Sequence, residues 1–215
     1  MPINLHLIND QEQYDLIRFK IIAQSEGRGK PGKPGELYID SATPGHPTIG
    51  IGFNLDDPNV RDIVLAAMGI TGAERTACIA DIVNYNGSLS TLLANLNQHS
   101  GRSFIMSEAE MNLAFNDIVP AKQTIASNRT GITSNSYELI VLTSLGYNNA
   151  NLIGPKLRTA IAEGNRAEAW YELRYGHANQ LHSRRYFEST LFGLYNNSSG
   201  NPSKEEALSI YQMYT

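Results

Sequence analysis

Cysteine is almost missing from this 215-residue chain: Cys78 stands alone, so neither an internal disulfide nor a multi-cysteine metal site can form. The five histidines, His6, His46, His99, His177 and His182, are scattered and lack the paired spacing of a metal motif, so no metal or cofactor is implied. No apolar run approaches the roughly 20 residues of a membrane-spanning helix, and no association with a membrane is expected. Basic charge is short as well: 17 Lys and Arg face 21 Asp and Glu, a net charge of −4. No overall positive field favours nucleic acid or anionic lipid, so any polyanion contact must be local. A phosphate-cradling loop is missing too, because Gly50-Ile51-Gly52 reads as strand and lacks the third glycine and following helix of a dinucleotide fingerprint. The opening residues Met1 to Leu7 show no basic segment followed by an apolar one. The chain is therefore expected to be made in the cytoplasm and to reach any substrate outside it by another route.

What is present is ordinary for a globular protein. Hydrophobic residues make up 41% and charged residues 18%, which argues against disorder. The length suits one domain with a real core, and a monomer is expected. Tyr14, Ile17, Ile21 and Ile22 recur at helical spacing between Asp10 and Ser25, with Gly27 just past the end. The segment from Arg28 to Gly35 is too rich in Gly and Pro to be regular, and reads as a basic loop. Glu36–Asp40 and Thr48–Phe53 then read as two strands of a hairpin, separated by turn residues. Tyr38 and Asp40 share the polar face of the first strand, opposite Leu37 and Ile39, and Thr48, Gly50 and Gly52 the small, polar face of the second, opposite Ile49, Ile51 and Phe53. Glycines inside a strand point to close approach of a ligand or another backbone.

The remainder reads as helices. Pro58 suits a first helical position before Val60 to Met68. Thr71-Gly72-Ala73-Glu74, Ser107-Glu108-Ala109-Glu110 and Ser203-Lys204-Glu205-Glu206 each fit the capping-box pattern. Further helical patterns cover Ser90–Gln98, Ser136–Leu145, Pro155–Ala162, Ala167–Tyr175 and Ser183–Leu194. The fold class expected is α+β: mainly helical, with a small antiparallel sheet near the N-terminus.

Three residues are the candidates for chemistry. Glu26 ends the first helix, where the negative end of the helix dipole raises the pKa of a carboxyl, as a general acid needs. Asp40 ends the first strand, and Thr48 opens the second on the same face, so the hairpin brings them near each other. In glycoside hydrolysis one carboxyl protonates the leaving oxygen while another activates water or attacks the sugar. Each residue alone also has an ordinary structural reading, as a helix end, a turn former or a strand residue.

The combination Ser25-Glu26-Gly27, Tyr38-Ile39-Asp40 and Thr48-Ile49-Gly50-Ile51-Gly52 resembles the signature of the phage T4-type lysozymes, glycoside hydrolase family 24. The likeness resumes at Ser144–Asn149, Pro155–Arg158, Ala169–Tyr175 and Arg184–Tyr195, and that closing stretch resembles most the pesticin-like muramidase domains of bacteriocins and type VI secretion effectors. The resemblance spans about 16–54 and 137–195. It implies a lysozyme-like domain over 1–215, with a first helix to about 27, a β-hairpin lobe over 28–58 and a helical lobe over 59–215. A catalytic cleft between two lobes is implied. Glu26 is then the general acid, Asp40 the carboxylate that activates water, and Thr48 the hydroxyl that holds that water, with inversion at the anomeric carbon. Gly52, Asn54, Tyr147, Asn148 and His182 are implied as substrate contacts.

The chain departs from the family at two places. The Lys30–Gly35 insertion lengthens the interval between Glu26 and Asp40. Asn54 stands where pesticin-like relatives place an acidic residue, and Asn cannot be a base, so Asp56 or Asp57 remains an alternative second carboxylate. Trp170 and Leu173 read as core rather than a sugar platform, and Cys78 as a small buried hydrophobe. Arg28, Lys30 and Lys33 read as a solubilising loop or a local anchor for anionic wall polymer. The expected substrate is peptidoglycan, with an immunity protein or a delivery spike as possible partners. A lytic transglycosylase and an inactive wall-binding module are the competing readings.

Overall fold

The structure, a computed structural model, describes residues 3–26, 35–40, 44–176, 182–195 and 202–214. It is mostly helical with a small antiparallel sheet near the N-terminus, an α+β fold. The chain divides into two compact units: 26–118 forms one, and 1–25 with 119–215 forms the other.

The unit over 26–118 holds the sheet. Strands β1 (Leu37–Ile39), β2 (Pro47–Ile49) and β3 (Phe53–Asn54) pair in that order, each antiparallel to the next. Leu37 lies opposite Ile49, and Ile49 opposite Phe53. All three are buried, so this cross-strand row faces the core. Helices α2 (Pro58–Ala67), α3 (Gly72–Val83) and α4 (Leu89–Ser100) follow, then the first half of α5 (Glu108–Thr130). Val64, Leu65, Cys78, Ile82, Leu96, Phe104 and Phe115 are buried here. The expected lobe boundary near residue 58 is not where this unit ends, because α2 to α4 supply the apolar surface against which so small a sheet can be covered.

The second strand expected over Thr48–Phe53 is broken. Gly50-Ile51-Gly52 is a turn between β2 and β3, with φ of +64° at Gly50 and +92° at Gly52. Residues at positive φ leave the extended ladder, so the glycines turn the chain rather than thin out a strand. Among the capping boxes, Ser107 and Glu110 exchange bonds as expected: the Ser107 N–H donates to Glu110 Oε2 at 2.7 Å and the Glu110 N–H to Ser107 Oγ at 3.2 Å. Ser203 and Glu206 do likewise. Thr71 caps α3 without a side-chain bond. Its neighbour Gly72 enters the helix at φ +56°, whereas the box needs a right-handed first residue.

The other unit contains α1 (Gln11–Ser25), the second half of α5, α6 (Tyr137–Asn149), a short 3-10 turn (Ala150–Leu152), α7 (Pro155–Glu163), α8 (Arg166–Tyr175), α9 (His182–Phe192) and α10 (Lys204–Tyr214). Helix α6 is its axis, since every residue from Glu138 to Gly146 is buried. Tyr14, Ile21, Leu157, Ala169, Leu173 and Phe192 pack into the same core. Trp170 is fully buried, and the guanidinium of Arg174 stacks over its ring at 4.9 Å.

Candidate active site

The polar face of the sheet is the candidate site. Tyr38 lies opposite Thr48, and Thr48 opposite Asn54, so these three form a row across the strands. The pairing continues one step beyond the strands: the Asp40 N–H donates to the His46 carbonyl at 3.1 Å, and the Leu55 N–H to the Pro47 carbonyl at 2.9 Å. Asp40, His46 and Asp56 therefore form a second row on the same face.

His46 is the hub of that face. Its N–H donates to Asp40 Oδ1 at 2.9 Å, and its carbonyl accepts the hydroxyl of Thr48 at 3.1 Å. With the hydroxyl proton committed to that carbonyl, Thr48 Oγ1 presents lone pairs to any further partner. Thr48 is almost wholly buried, which holds the hydroxyl in one place.

Glu26 directly follows the last residue of α1 and is half-buried. A β-carbon added at Gly52 would stand 3.4 Å from Glu26 Oε2, so the carboxyl lies against the β2–β3 turn, and it is the φ of +92° that calls for glycine there. The group that approaches Gly52 is the Glu26 side chain, where the sequence pattern suggests a ligand or another backbone. Burial pushes the Tyr38 phenol above its usual pKa, and the negative charges of Glu26 and Asp40 push it further. One phenol thus feels both carboxylates, and at neutral pH it keeps its proton.

The alternative carboxylates are otherwise engaged. Asp57 caps α2, accepting from the Asn59 N–H at 2.9 Å and the Val60 N–H at 3.4 Å. Asp56 Oδ2 lies 2.5 Å from His46 Nδ1. Asn54 Oδ1 accepts the Asp56 N–H at 2.8 Å and so closes the turn after β3. Asn54 stands in the row beside Thr48, as a turn-forming amide in place of a carboxylate.

Tyr147, Asn148 and His182 belong to the other unit. Tyr147 is half-buried and Asn148 exposed near the end of α6, while His182 begins α9. His182 lines a cavity of about 570 Å³ with Gln24, Ser25, Ser183, Arg184 and Phe187. Arg28, Lys30, Lys33 and His177 lie outside the described residues. Among the described residues no group of three or more His, Cys, Asp or Glu could hold a metal ion, and no helix is long and apolar enough to cross a membrane.

Two members of this face, Tyr38 and His46, are absent from the sequence-level site. Tyr38 was signalled by its alternation with Asp40. His46 was not, because its place opposite Asp40 depends on the hairpin register. Comparison with protein-family models, with curated proteins and with solved structures finds no match for this chain.

Proposed function

We propose that this chain is a peptidoglycan muramidase, hydrolysing the β-1,4 bond between N-acetylmuramic acid and N-acetylglucosamine. The observation that carries the reading is the sheet face on which Asp40 stands one step along from the Tyr38–Thr48 pair, with the Glu26 carboxyl against Gly52 of the neighbouring β2–β3 turn. Glu26 donates a proton to the glycosidic oxygen as its bond to the anomeric carbon breaks. Water adds to that carbon from the opposite side, giving one proton to Asp40 while Thr48 Oγ1 accepts a hydrogen bond from the other. The configuration inverts, and exchange with solvent returns a proton to Glu26 and removes one from Asp40. Tyr38, which burial and the nearby carboxylates keep protonated, offers its hydroxyl as a hydrogen-bond donor to the sugar. The setting proposed is lysis of a bacterial wall, by a phage leaving its host or by a bacterium attacking a competitor. A net charge of −4 favours delivery by other machinery over electrostatic capture by an anionic wall.

Mass spectrometry of muropeptides released from purified sacculi tests the proposal. Wild type is expected to release products with reducing muramic ends, and Glu26→Gln and Asp40→Asn should each lower the rate by about 10²–10⁴-fold. Anhydro-muramic ends that persist in Asp40→Asn would show a transglycosylase. Binding to sacculi with no release would show a wall-binding module.

A further inference from the structure

Asp56 has no place in the bond-breaking chemistry, yet it makes one of the shortest side-chain contacts on the sheet, 2.5 Å to His46 Nδ1. His46 is in turn the residue whose main chain holds Asp40 and Thr48 together. Its N–H orients the Asp40 carboxylate, and its carbonyl takes both the Asp40 N–H and the Thr48 hydroxyl proton. The two groups that would handle water thus hang on the main chain of a single residue, on both sides of its α-carbon, and the ring of that residue is anchored from β3's side by the Asp56 carboxylate. We propose that His46 and Asp56 are a positioning pair for Asp40 and Thr48: the ionic tether of the imidazolium fixes the main chain that aims both. This rests on the muramidase reading and adds to it a reason for the activity to depend on pH apart from the proton on Glu26.

The geometry sets the direction of that dependence. Among the described residues, the charged groups that face the His46 ring are Asp56 and Asp40, and the other titratable group lining the cavity of about 440 Å³ that His46 and Asp56 share is the Tyr85 phenol. The Asp56 hydrogen bond raises the His46 pKa, burial opposes it, and the charges of Asp40 and Asp56 add to the rise. The raised folded value means the tether is whole below the unfolded pKa of about 6.5 and is lost as pH climbs through the folded value. Above that point the charge attraction is gone and the ring is held only by a hydrogen bond between neutral imidazole and Asp56, so the Asp40–Thr48 spacing loosens. A displacement of the order of 1 Å in such a group costs up to about 10²-fold in rate, so the tether matters although it touches no substrate.

Asp56→Asn in the full chain tests this, with Asp56→Glu as the conservative control. On sacculi, Asp56→Asn is expected to lower kcat by roughly tenfold, with KM within about twofold, because positioning acts on the reacting groups and not on sugar binding. The alkaline limb of the pH profile should move to lower pH in step with the His46 ring titration followed by NMR, and Asp56→Glu should restore much of both. A readout free of turnover accompanies these: the His46 backbone amide shift reports the Asp40 titration through their hydrogen bond in wild type and should lose that response in Asp56→Asn. If kcat, the alkaline limb and the amide response are all unchanged in Asp56→Asn, the pair positions nothing and the proposal is overturned. The outcome for Glu26→Gln is read separately. Undiminished release by that variant overturns the muramidase reading, whereas the amide response still decides whether the pair holds Asp40.

Discussion

At the scale of single residues, Gly52 is the position where backbone and site meet most directly. Its φ of +92° is one that other residues rarely adopt, and an added β-carbon would stand 3.4 Å from Glu26 Oε2. Gly52→Ala is therefore expected to cost about 1–3 kcal/mol in backbone strain, and relief of that strain would move the turn against which the Glu26 carboxyl lies. Thermal unfolding should show a lowered midpoint. Wall lysis measured well below that midpoint should fall further than stability accounts for, and unimpaired lysis would show that the close approach is incidental. The same residue illustrates how far local reading reaches. A glycine between apolar residues signals close approach, but whether it sits in a strand or a turn depends on its φ, which alternation alone does not reveal.

At the scale of elements, a buried charge cluster ties α6, α8 and α9 to the N-terminal segment. Arg166 donates to Glu138 Oε1 at 2.5 Å, to the Gly193 carbonyl at 3.0 Å and to the Asn4 carbonyl at 2.7 Å, and its guanidinium stacks on Phe192. Glu138 has no exposed surface and also accepts the His6 N–H at 3.0 Å. His6 Nδ1 lies 2.9 Å from Glu138 Oε1 as well, so removing Arg166 strips the buried carboxylate of its guanidinium and leaves it to His6, and Arg166→Met is expected to destabilise by about 3 kcal/mol. Adding Glu138→Leu should recover much of the loss, since an apolar pair costs less than a stranded charge. Urea unfolding followed by Trp170 fluorescence checks both variants, and additive losses in the double variant would contradict the argument. Nothing in the sequence around Glu138 or Arg166 signals the cluster, because its members lie far apart along the chain. The helices themselves were legible: Ser107 with Glu110 and Ser203 with Glu206 are short-range patterns, set by spacing within one turn.

At the scale of the whole molecule, the two compact units each carry one intrinsic probe. Cys78 is buried in the unit over 26–118, and Trp170 is buried in the other. Burial pushes the Cys78 thiol up to about 11, and the charges of Asp81 and Glu74 add to the rise, so it is nearly inert until its surroundings open. Because each unit has its own core, thiol labelling of Cys78 and fluorescence of Trp170 are expected to give different midpoints in urea. Coincident midpoints would show one cooperative unit. The sequence by itself determined the helical and strand patterning, the buried fates of Trp170 and Cys78, and the nearness of Asp40 and Thr48 on one hairpin face. These follow from periodicity and short-range pairing, which need no knowledge of distant chain. Only the tertiary structure decided that α2 to α4 belong with the sheet, that Glu26 lies against Gly52, and that His46 stands between Asp40 and Asp56. Those depend on strand register and on contacts between distant segments, and register is set jointly by the turn, the core row Leu37–Ile49–Phe53 and the helices that cover it.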